Sequence, residues 1–407
     1  MKKLLSLVLC LALVLCLPLA AFAEETVTIA VWDDSQAPGI QQMADKFMET
    51  HPDVKVVVEC TPWAQYWTSL EANAVAGTLA DIVMMHPEKV ASYAEGGMIA
   101  SLEDMIAAGA IDMGKFPANI VKDFTVGGVR YGVPKDYSTF GLWYNKDIFD
   151  AAGVAYPTAD WTWDDLYENA VKLNDPDKGI YGFVARYDVN DGAYHFIWQN
   201  GSDFINEDET KSLFDAPATI EAIEYMVRFV KEGLSPTAAD LANTNVDSLF
   251  VSGRTAMQVN GSWKCNTYQA VETLNADVAE LPIGKQRADL CGGMGWVLSA
   301  GSAEKESAKA VLSYFADYEA NVIQAESGAA IPAYEGAQAP WVNSFPQYNC
   351  QAFVNAADYG VSSQYCRTRN DWVNIESEWL VKIFNLEISP EEGLKACAAA
   401  INEVLAK

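Results

Sequence analysis

The sequence predicts an α/β protein of two lobes, the first built on a mostly parallel sheet with helices on both faces. Three observations predict it. An N-terminal leader of 23 residues precedes 384 of the 407 residues, more chain than one core comfortably organises. Hydrophobic residues make up 50% of the chain, enough to fill two cores. Strand-like and helix-like runs alternate from residue 26 onwards.

The leader has the layout of a secretory signal peptide. Lys2 and Lys3 precede an apolar run, and Ala21-Phe22-Ala23 forms a small-residue cleavage site, so we expect cleavage after Ala23. The run is too short to span a bilayer, which takes about 20 residues. Cys10 and Cys16 both follow Leu inside it, so no convincing lipobox is present. The sequence predicts export to the periplasm, the cell surface or the medium.

The next elements build the first lobe. The alternating run Thr26–Trp32 and the β-branched run Val54–Glu59 are typical of strands, and Gln36–Thr50 between them has helical spacing. A second helix over Trp63–Gly77 and a short strand over Asp81–Met85 continue the alternation. In such sheets ligands bind at the carboxyl ends of the strands.

The rest of the chain is richer in helices. Gly128–Lys146 reads as one extended segment that passes from lobe to lobe, and Thr162–Leu173 is a helix with threonine at its cap and acids in its first turn. Further helices are predicted at about Ala218–Glu232, Val246–Ser252, Ala303–Tyr318, Asn374–Phe384 and Pro390–Lys407.

Charge and composition restrict the ligand. The formal net charge is −28, with 55 acidic against 27 basic residues, and a field of that sign repels nucleic acid and anionic lipid. It suits a neutral or cationic ligand. Aromatic residues reach 11% and include 12 tryptophans, more than packing alone usually recruits.

Six cysteines remain after the leader, and none is in a Cys-x-x-Cys pair. Disulfides are allowed in an oxidising compartment, and Cys350 with Cys366 is the best-placed pair because the two are close in sequence. Buried, unpaired thiols are an equally good interpretation.

A series of motifs resembles the extracellular solute-binding proteins of sugar-uptake ABC transporters, the group that includes maltose-binding protein. The resemblance covers nearly the whole mature chain. Its motifs are Tyr-Gly-Val-Pro at 131–134, Trp-Tyr-Asn-Lys at 143–146, Trp-Thr-Trp-Asp-Asp-Leu at 161–166, the run 250–263, Gly-Gly-Met-Gly-Trp-Val-Leu-Ser at 292–299 and the last helix, 391–407.

The resemblance implies the type II fold of periplasmic binding proteins, each lobe a mostly parallel sheet flanked by helices. Lobe 1 would comprise residues 24–136 and 288–338, and lobe 2 residues 137–287 and 339–407. Crossovers are expected near 135–137, 287–291 and 337–341. The resemblance further implies a monomer that closes on its ligand about a hinge and is recognised by a membrane permease.

Sugar sites combine aromatic platforms with carboxylate, amide and guanidinium groups. Trp263, in Asn260-Gly261-Ser262-Trp263, stands where the family places a stacking aromatic, with plain packing as its alternative, and we expect Gly261 to let a ligand approach the backbone. Trp32, Asp33 and Asp34 follow the first strand. The alternative for either aspartate is an N-cap of the next helix.

Other candidates follow later strands. Trp63 comes after the second strand and has burial as its alternative, and His86 comes after the third, where a lone histidine more often satisfies backbone groups. Asp136 and Tyr137 stand at the first crossover. Asp136 is the best single carboxylate, unless it pairs with Lys135 or caps a turn.

The remaining candidates are less regular. The family has second-lobe aromatic contacts near Trp198 and Asn200, and Gly293 and Met294 at the second crossover offer backbone donors and an apolar surface. Arg367 and Arg369 either balance charge or bind the ligand through vicinal hydroxyls or a carboxylate. If they bind a carboxylate, the ligand is a uronic acid sugar.

The sequence also bears on functions other than sugar binding. A glycosidase needs two carboxylates, which the composition allows, but no nucleophile elbow, Walker loop, dinucleotide fingerprint or His-Glu-x-x-His motif occurs. We expect no enzyme activity, cofactor or metal. A polyamine ligand would suit the excess of acidic residues. A receptor that reports its ligand to a sensor kinase would have the same sequence features as a transport protein.

Overall fold

The computed structural model describes residues 25–362 and 369–406. The predicted signal peptide, Cys366 and Arg367 lie outside the described residues. No helix in the described part of the chain has the length and apolarity needed to cross a membrane.

Fourteen strands occur in the described chain. They are β1 (Glu25–Val31), β2 (Val54–Cys60), β3 (Ile82–Met85), β4 (Thr125–Val126), β5 (Val129–Arg130), β6 (Gly132–Pro134), β7 (Asp136–Tyr137), β8 (Phe140–Asn145), β9 (Met257–Gly261), β10 (Ala276–Ala279), β11 (Asp289–Leu290), β12 (Gly295–Leu298), β13 (Ile331–Pro332) and β14 (Gly360–Val361).

The α-helices of the described residues are α1 (Ala37–Thr50), α2 (Trp63–Ala76), α3 (Pro87–Glu95), α4 (Glu103–Ala107), α5 (Ala118–Asp123), α6 (Lys146–Ala152), α7 (Trp163–Leu173), α8 (Tyr194–Gln199), α9 (Pro217–Lys231), α10 (Ala238–Asn243), α11 (Val246–Val251), α12 (Lys264–Gln269), α13 (Glu306–Phe315), α14 (Tyr318–Glu326), α15 (Ala339–Asn343), α16 (Gln351–Ala356), α17 (Arg369–Phe384) and α18 (Pro390–Leu405).

The first sheet has the strand order β2-β1-β3-β12-β6. β1 pairs in parallel with β2 and β3, whereas β12 is antiparallel to both β3 and β6. Four of its five strands therefore run in the same direction. Val27, Ile29 and Val31 alternate into the core from β1, as the period-2 pattern of that strand predicts. This sheet is the mostly parallel sheet that the sequence predicts.

The second sheet is different. Its order is β10-β8-β9, and both ladders are antiparallel. β8 follows β7 in the chain and runs between β9 and β10 in the opposite direction to both. Single parallel bridges join Tyr181 to Thr255, just before β9, and Val184 to Gln258 within β9. The α/β fold is confirmed, but the expectation of a mostly parallel second sheet is corrected to an antiparallel ladder.

Most of the helices that the sequence predicts begin and end close to the predicted residues. α7 has a full capping box, in which the Thr162 hydroxyl and the Asp165 carboxylate each accept from the other's backbone N–H. The one helix predicted over 303–318 is instead α13 followed by α14. Asp317 separates them, because its side chain accepts from the Tyr318 N–H and starts a new helix.

The chain passes between the two sheets at closely packed crossovers. β7 pairs with β13, β11 pairs with β14, and the Ser138 N–H donates to the Gly292 carbonyl over 2.7 Å. A Cβ on Gly293 would lie 1.9 Å from the Asp136 carbonyl oxygen. Glycine is therefore required at 293 by the approach of two backbones. These pairings lie at the predicted crossovers 135–137 and 287–291.

Candidate functional site

Three predicted residues meet at the carboxyl ends of β1, β2 and β3. The rings of Trp32 and Trp63 lie 5.3 Å apart between centroids in an edge-on arrangement, and those of Trp63 and His86 lie 6.3 Å apart. The three strands are neighbours and parallel, so their carboxyl ends share one edge of the sheet.

Two further rings complete an aromatic cluster of Trp32, Trp63, Tyr66 and Trp67. Tyr66 and Trp67 pack against Trp32 at 5.1 and 5.4 Å. The buried Tyr66 hydroxyl donates to the Met84 carbonyl over 2.7 Å, which fixes α2 to β3. Trp63 itself is 51% exposed. The cluster thus holds one large ring in place while leaving its surface available to a ligand.

His86 caps the helix that follows it. Its Nδ1 accepts from the Glu88 N–H over 3.3 Å, and the Glu88 carboxylate lies 3.9 Å from the same nitrogen. Burial lowers the pKa of His86, which favours the neutral ring. The backbone role that the sequence leaves open for His86 is therefore present, at the edge of the aromatic cluster.

A chain of polar contacts joins the first loop to both crossovers. The Gln36 amide donates to Asp33 Oδ2 over 2.8 Å and accepts from Lys135 Nζ. Lys135 Nζ also donates to Asp136 Oδ2 over 2.6 Å, and the Met294 N–H donates to Asp136 Oδ1 over 2.9 Å. Asp33 and Asp136 therefore use their carboxylates to hold loops together. The pairing with Lys135 is the alternative left open for Asp136, whereas the Asp33 side chain does not cap α1, whose N-cap residue is Gln36.

The predicted residues next to these polar contacts differ in exposure. Asp34 is exposed at the start of the loop. Tyr137 is buried, and burial raises its pKa. The backbone N–H of Met294 is engaged by Asp136, so this predicted backbone donor already has a partner within the protein.

Trp263 lies at the end of β9 and is 42% exposed. Its ring packs edge-on against buried Phe140 at 5.1 Å. A Cβ on Gly261 would lie 2.0 Å from the ring. The space at Gly261 is therefore taken by the Trp263 ring, which corrects the expectation that a ligand approaches the backbone there.

A cavity of about 290 Å³ lies beside Trp263. Arg186 is between two carboxylates, with Nε 2.7 Å from Asp188 and a terminal nitrogen 2.7 Å from Asp191. Asp247 accepts from Lys264 and from Asn260. Burial raises the pKa of Asp191, although Arg186 opposes the shift. Charged and amide groups thus adjoin an exposed ring, as a polyhydroxylated ligand requires.

The sequence does not single out this charged set. The residues are scattered between 186 and 264, and only the fold brings them together. Asn260 and Lys264 flank the recognised Trp263 motif, and that proximity was the one available signal.

Three other predicted residues lie inside the protein. Trp198 is 3% exposed and donates from its ring N–H to Asp203, while the Asn200 amide donates to the Ala218 carbonyl over 2.6 Å. Arg369 is buried and donates to the Tyr194 hydroxyl over 2.8 Å. The structure does not bring these side chains to either exposed tryptophan, because each has its polar atoms engaged in the core.

A larger cavity, of about 720 Å³, lies elsewhere, between α6, the end of α7 and the end of α11. Its described lining includes Asp147, Lys172 and Asp175 and contains no aromatic side chain. Aromatic platforms are what a sugar face needs. The surfaces at Trp63 and Trp263 are therefore the better candidate site, in spite of their smaller cavity.

Comparisons of the sequence and of the structure with known proteins both find binding proteins. The sequence profile of the bacterial extracellular solute-binding proteins matches residues 33–322. The chain is 28% identical over 405 residues to a lactose-binding protein of Rhizobium radiobacter, covering 90% of this chain and 93% of the relative.

Solved structures share the fold. An ABC substrate-binding protein from Listeria monocytogenes, solved with cycloalternan, is 28% identical with a TM-score of 0.82, covering 94% of this chain and 99% of that one. The cyclic α-maltosyl-1,6-maltose binding protein of Arthrobacter globiformis is 23% identical with a TM-score of 0.81, covering 93% and 98%.

Proposed function

Since this chain belongs to the bacterial extracellular solute-binding proteins, the non-catalytic binding components of ABC transporters, we propose that it captures an oligosaccharide between two lobes and delivers it to a membrane permease. The observation that carries the proposal is the pair of exposed tryptophans, Trp63 beside the first sheet and Trp263 beside the second. Sugar rings have apolar C–H faces that stack on such platforms.

The relatives support a sugar over a polyamine. The Rhizobium protein is named for lactose, and the Listeria protein was solved with cycloalternan. Within the proposed site, Trp63 and Trp263 supply stacking surfaces, and Asp34, Arg186 and Asp191 supply polar contacts. Asp33, Asp136 and Met294 hold the loops that present them.

The lobe division belongs to the same proposal. The first sheet takes its strands from residues 25–134 and 295–298, and the second from residues 140–145 and 257–279, which supports lobes of 24–136 plus 288–338 and of 137–287 plus 339–407. Export of the protein with cleavage after Ala23 is also part of this proposal, because the family acts outside the cytoplasm. Closure about the crossovers would bring both tryptophans onto one ligand.

A thermal-shift screen of the mature protein tests the function. Lactose, cycloalternan, linear maltooligosaccharides, mannitol and spermidine form the panel. At a ligand concentration about 100 times Kd, binding adds about 2.7 kcal/mol to the free energy of unfolding, so at least one oligosaccharide is expected to raise Tm. Trp263→Ala and Trp63→Ala should each abolish that rise and leave the unliganded Tm nearly unchanged.

Trp379→Ala is the matched control, because Trp379 is a partly exposed tryptophan on α17 with Lys382 Nζ 4.5 Å from its ring. It should retain the sugar-induced shift. A rise in Tm with spermidine and with no oligosaccharide contradicts the proposal of a sugar ligand. An unfolded Trp263→Ala variant contradicts the assignment of Trp263 to the ligand site.

A further inference from the structure

Two buried cysteines are in contact outside the candidate site. The Sγ atoms of Cys265 and Cys350 lie 3.5 Å apart, and both residues are 0% exposed. Cys265 is in the first turn of α12, and Cys350 immediately precedes α16. The two are 85 residues apart in sequence.

The surroundings hold both residues in place. Trp143 packs edge-on against Tyr268 at 4.9 Å and against Tyr348 at 5.1 Å, so one ring from β8 clamps the segments that carry both thiols. The backbone N–H of Cys265 donates to the Ser262 carbonyl, and that of Cys350 to the Tyr348 carbonyl. Neither segment needs to move far for the sulfurs to bond.

We propose that Cys265 and Cys350 form a disulfide in the exported protein. Disulfides form and persist outside the cytoplasm, where this family acts. The two thiols lose two protons and two electrons as the S–S bond forms. A disulfide-bonded oxidant, either an oxidoreductase or oxidised glutathione, takes up the electrons, and its own disulfide is reduced to two thiols.

The pairing differs from the one that sequence proximity favours. Cys350 with Cys366 is the closer pair along the chain, but Cys366 lies outside the described residues, whereas Cys350 is in contact with Cys265. Cys265 is two residues beyond Trp263, so the bond would fasten the helix that begins directly after this tryptophan. Both cysteines lie in the proposed second lobe, which leaves closure of the lobes unhindered.

Oxidation should take place while the chain folds. Burial is the main cause that raises the pKa of the Cys265 thiol, and exchange requires a thiolate. The folded, reduced protein is therefore a poor substrate for the oxidant. The test accordingly uses both protein recovered from the extracytoplasmic fraction and protein refolded in a glutathione redox buffer.

The first experiment maps the bond. Both samples are alkylated in denaturant without reductant and digested with trypsin and chymotrypsin. Trypsin isolates Cys265 by cutting after Lys264 and Lys285, but leaves Cys350 and Cys366 on one peptide, because no Lys or Arg lies between Lys309 and Arg367. Chymotrypsin separates those two by cutting after Phe353 and Tyr359. We expect a linked pair of Cys265 and Cys350 peptides that disappears on reduction.

A linked pair of Cys350 and Cys366 overturns the proposal, and so does alkylation of both Cys265 and Cys350 in both samples. The second experiment measures Tm with and without reductant. Wild type and Cys397→Ser, which changes a buried cysteine of α18, should both lose stability on reduction. Cys265→Ser and Cys350→Ser should lose the response to reductant. A reductant response that persists in either variant contradicts the assigned pair.

Discussion

Gly261 lies directly beneath the ring of Trp263. The clash of an added Cβ falls on the outer edge of that ring, 2.0 Å away, and the ring is 42% exposed. A partly exposed side chain can rotate away, whereas a packed backbone cannot. The absence of a side chain at Gly261 therefore matters more for the position of the Trp263 ring than for the stability of the fold.

We predict that Gly261→Ala weakens sugar binding far more than it lowers Tm. The added methyl group displaces the ring from its position against Phe140. Titration calorimetry measures the affinity, and a loss of about tenfold corresponds to about 1.4 kcal/mol. Gly301→Ala is the control, since a Cβ there meets nothing within 4 Å. Unchanged affinity in Gly261→Ala would show that the ring position does not matter.

Residue types at strand ends were predictable, but their partners were not. The sequence places Trp32, Trp63 and His86 after three strands of one sheet, and the structure brings them together. It does not disclose that the Met294 N–H donates to Asp136, or that Arg369 is enclosed in the core, because both depend on packing between distant segments.

At the scale of elements, α17 carries an unusual buried acid. Glu376 lies 4.0 Å from a terminal nitrogen of Arg369 and is 0% exposed. Burial raises its pKa from 4.5 to about 7, against the opposing effects of Arg369 and Tyr194. Between pH 4.5 and about 7, the Glu376 carboxyl keeps in the folded state a proton that it has released in the unfolded chain. The stability contributed below pH 4.5 is therefore lost as the pH rises to about 7.

We predict that Glu376→Gln flattens the pH dependence of the free energy of unfolding between pH 4.5 and about 7, the window set by its raised pKa. The full effect is on the order of 3 kcal/mol, from 1.36 kcal/mol for each pKa unit. Denaturant titrations at both ends of the window measure it. Glu378→Gln, an exposed acid on the same helix, should keep the wild-type slope. Equal slopes in both variants would exclude Glu376 as the cause.

Elements with a strong local signal were predicted well. α7 has its cap, first-turn acids and apolar stripe in one continuous segment, so the pattern alone locates it. The antiparallel second sheet was not predictable in this way. Its central strand β8 pairs with segments more than 100 residues later in the chain, and local periodicity carries no information on that direction.

At the scale of the whole molecule, the proposed ligand and the proposed closure are linked. A compact protein of 384 residues has a radius of gyration of about 21 Å. We predict that the unliganded mature protein exceeds that value in small-angle X-ray scattering and that a bound oligosaccharide lowers it. Trp263→Ala should show no decrease. Binding that raises Tm without any compaction would contradict hinge closure while leaving sugar binding intact.

The exposed rings also make this protein a spectroscopic reporter of the proposed site. All 12 tryptophans lie within the described residues, and Trp63 and Trp263 are the most exposed of them. A water-soluble collisional quencher will reach these two indoles first, and they emit at the red edge of the fluorescence band. Occupancy of either surface can therefore be followed in the unlabelled protein.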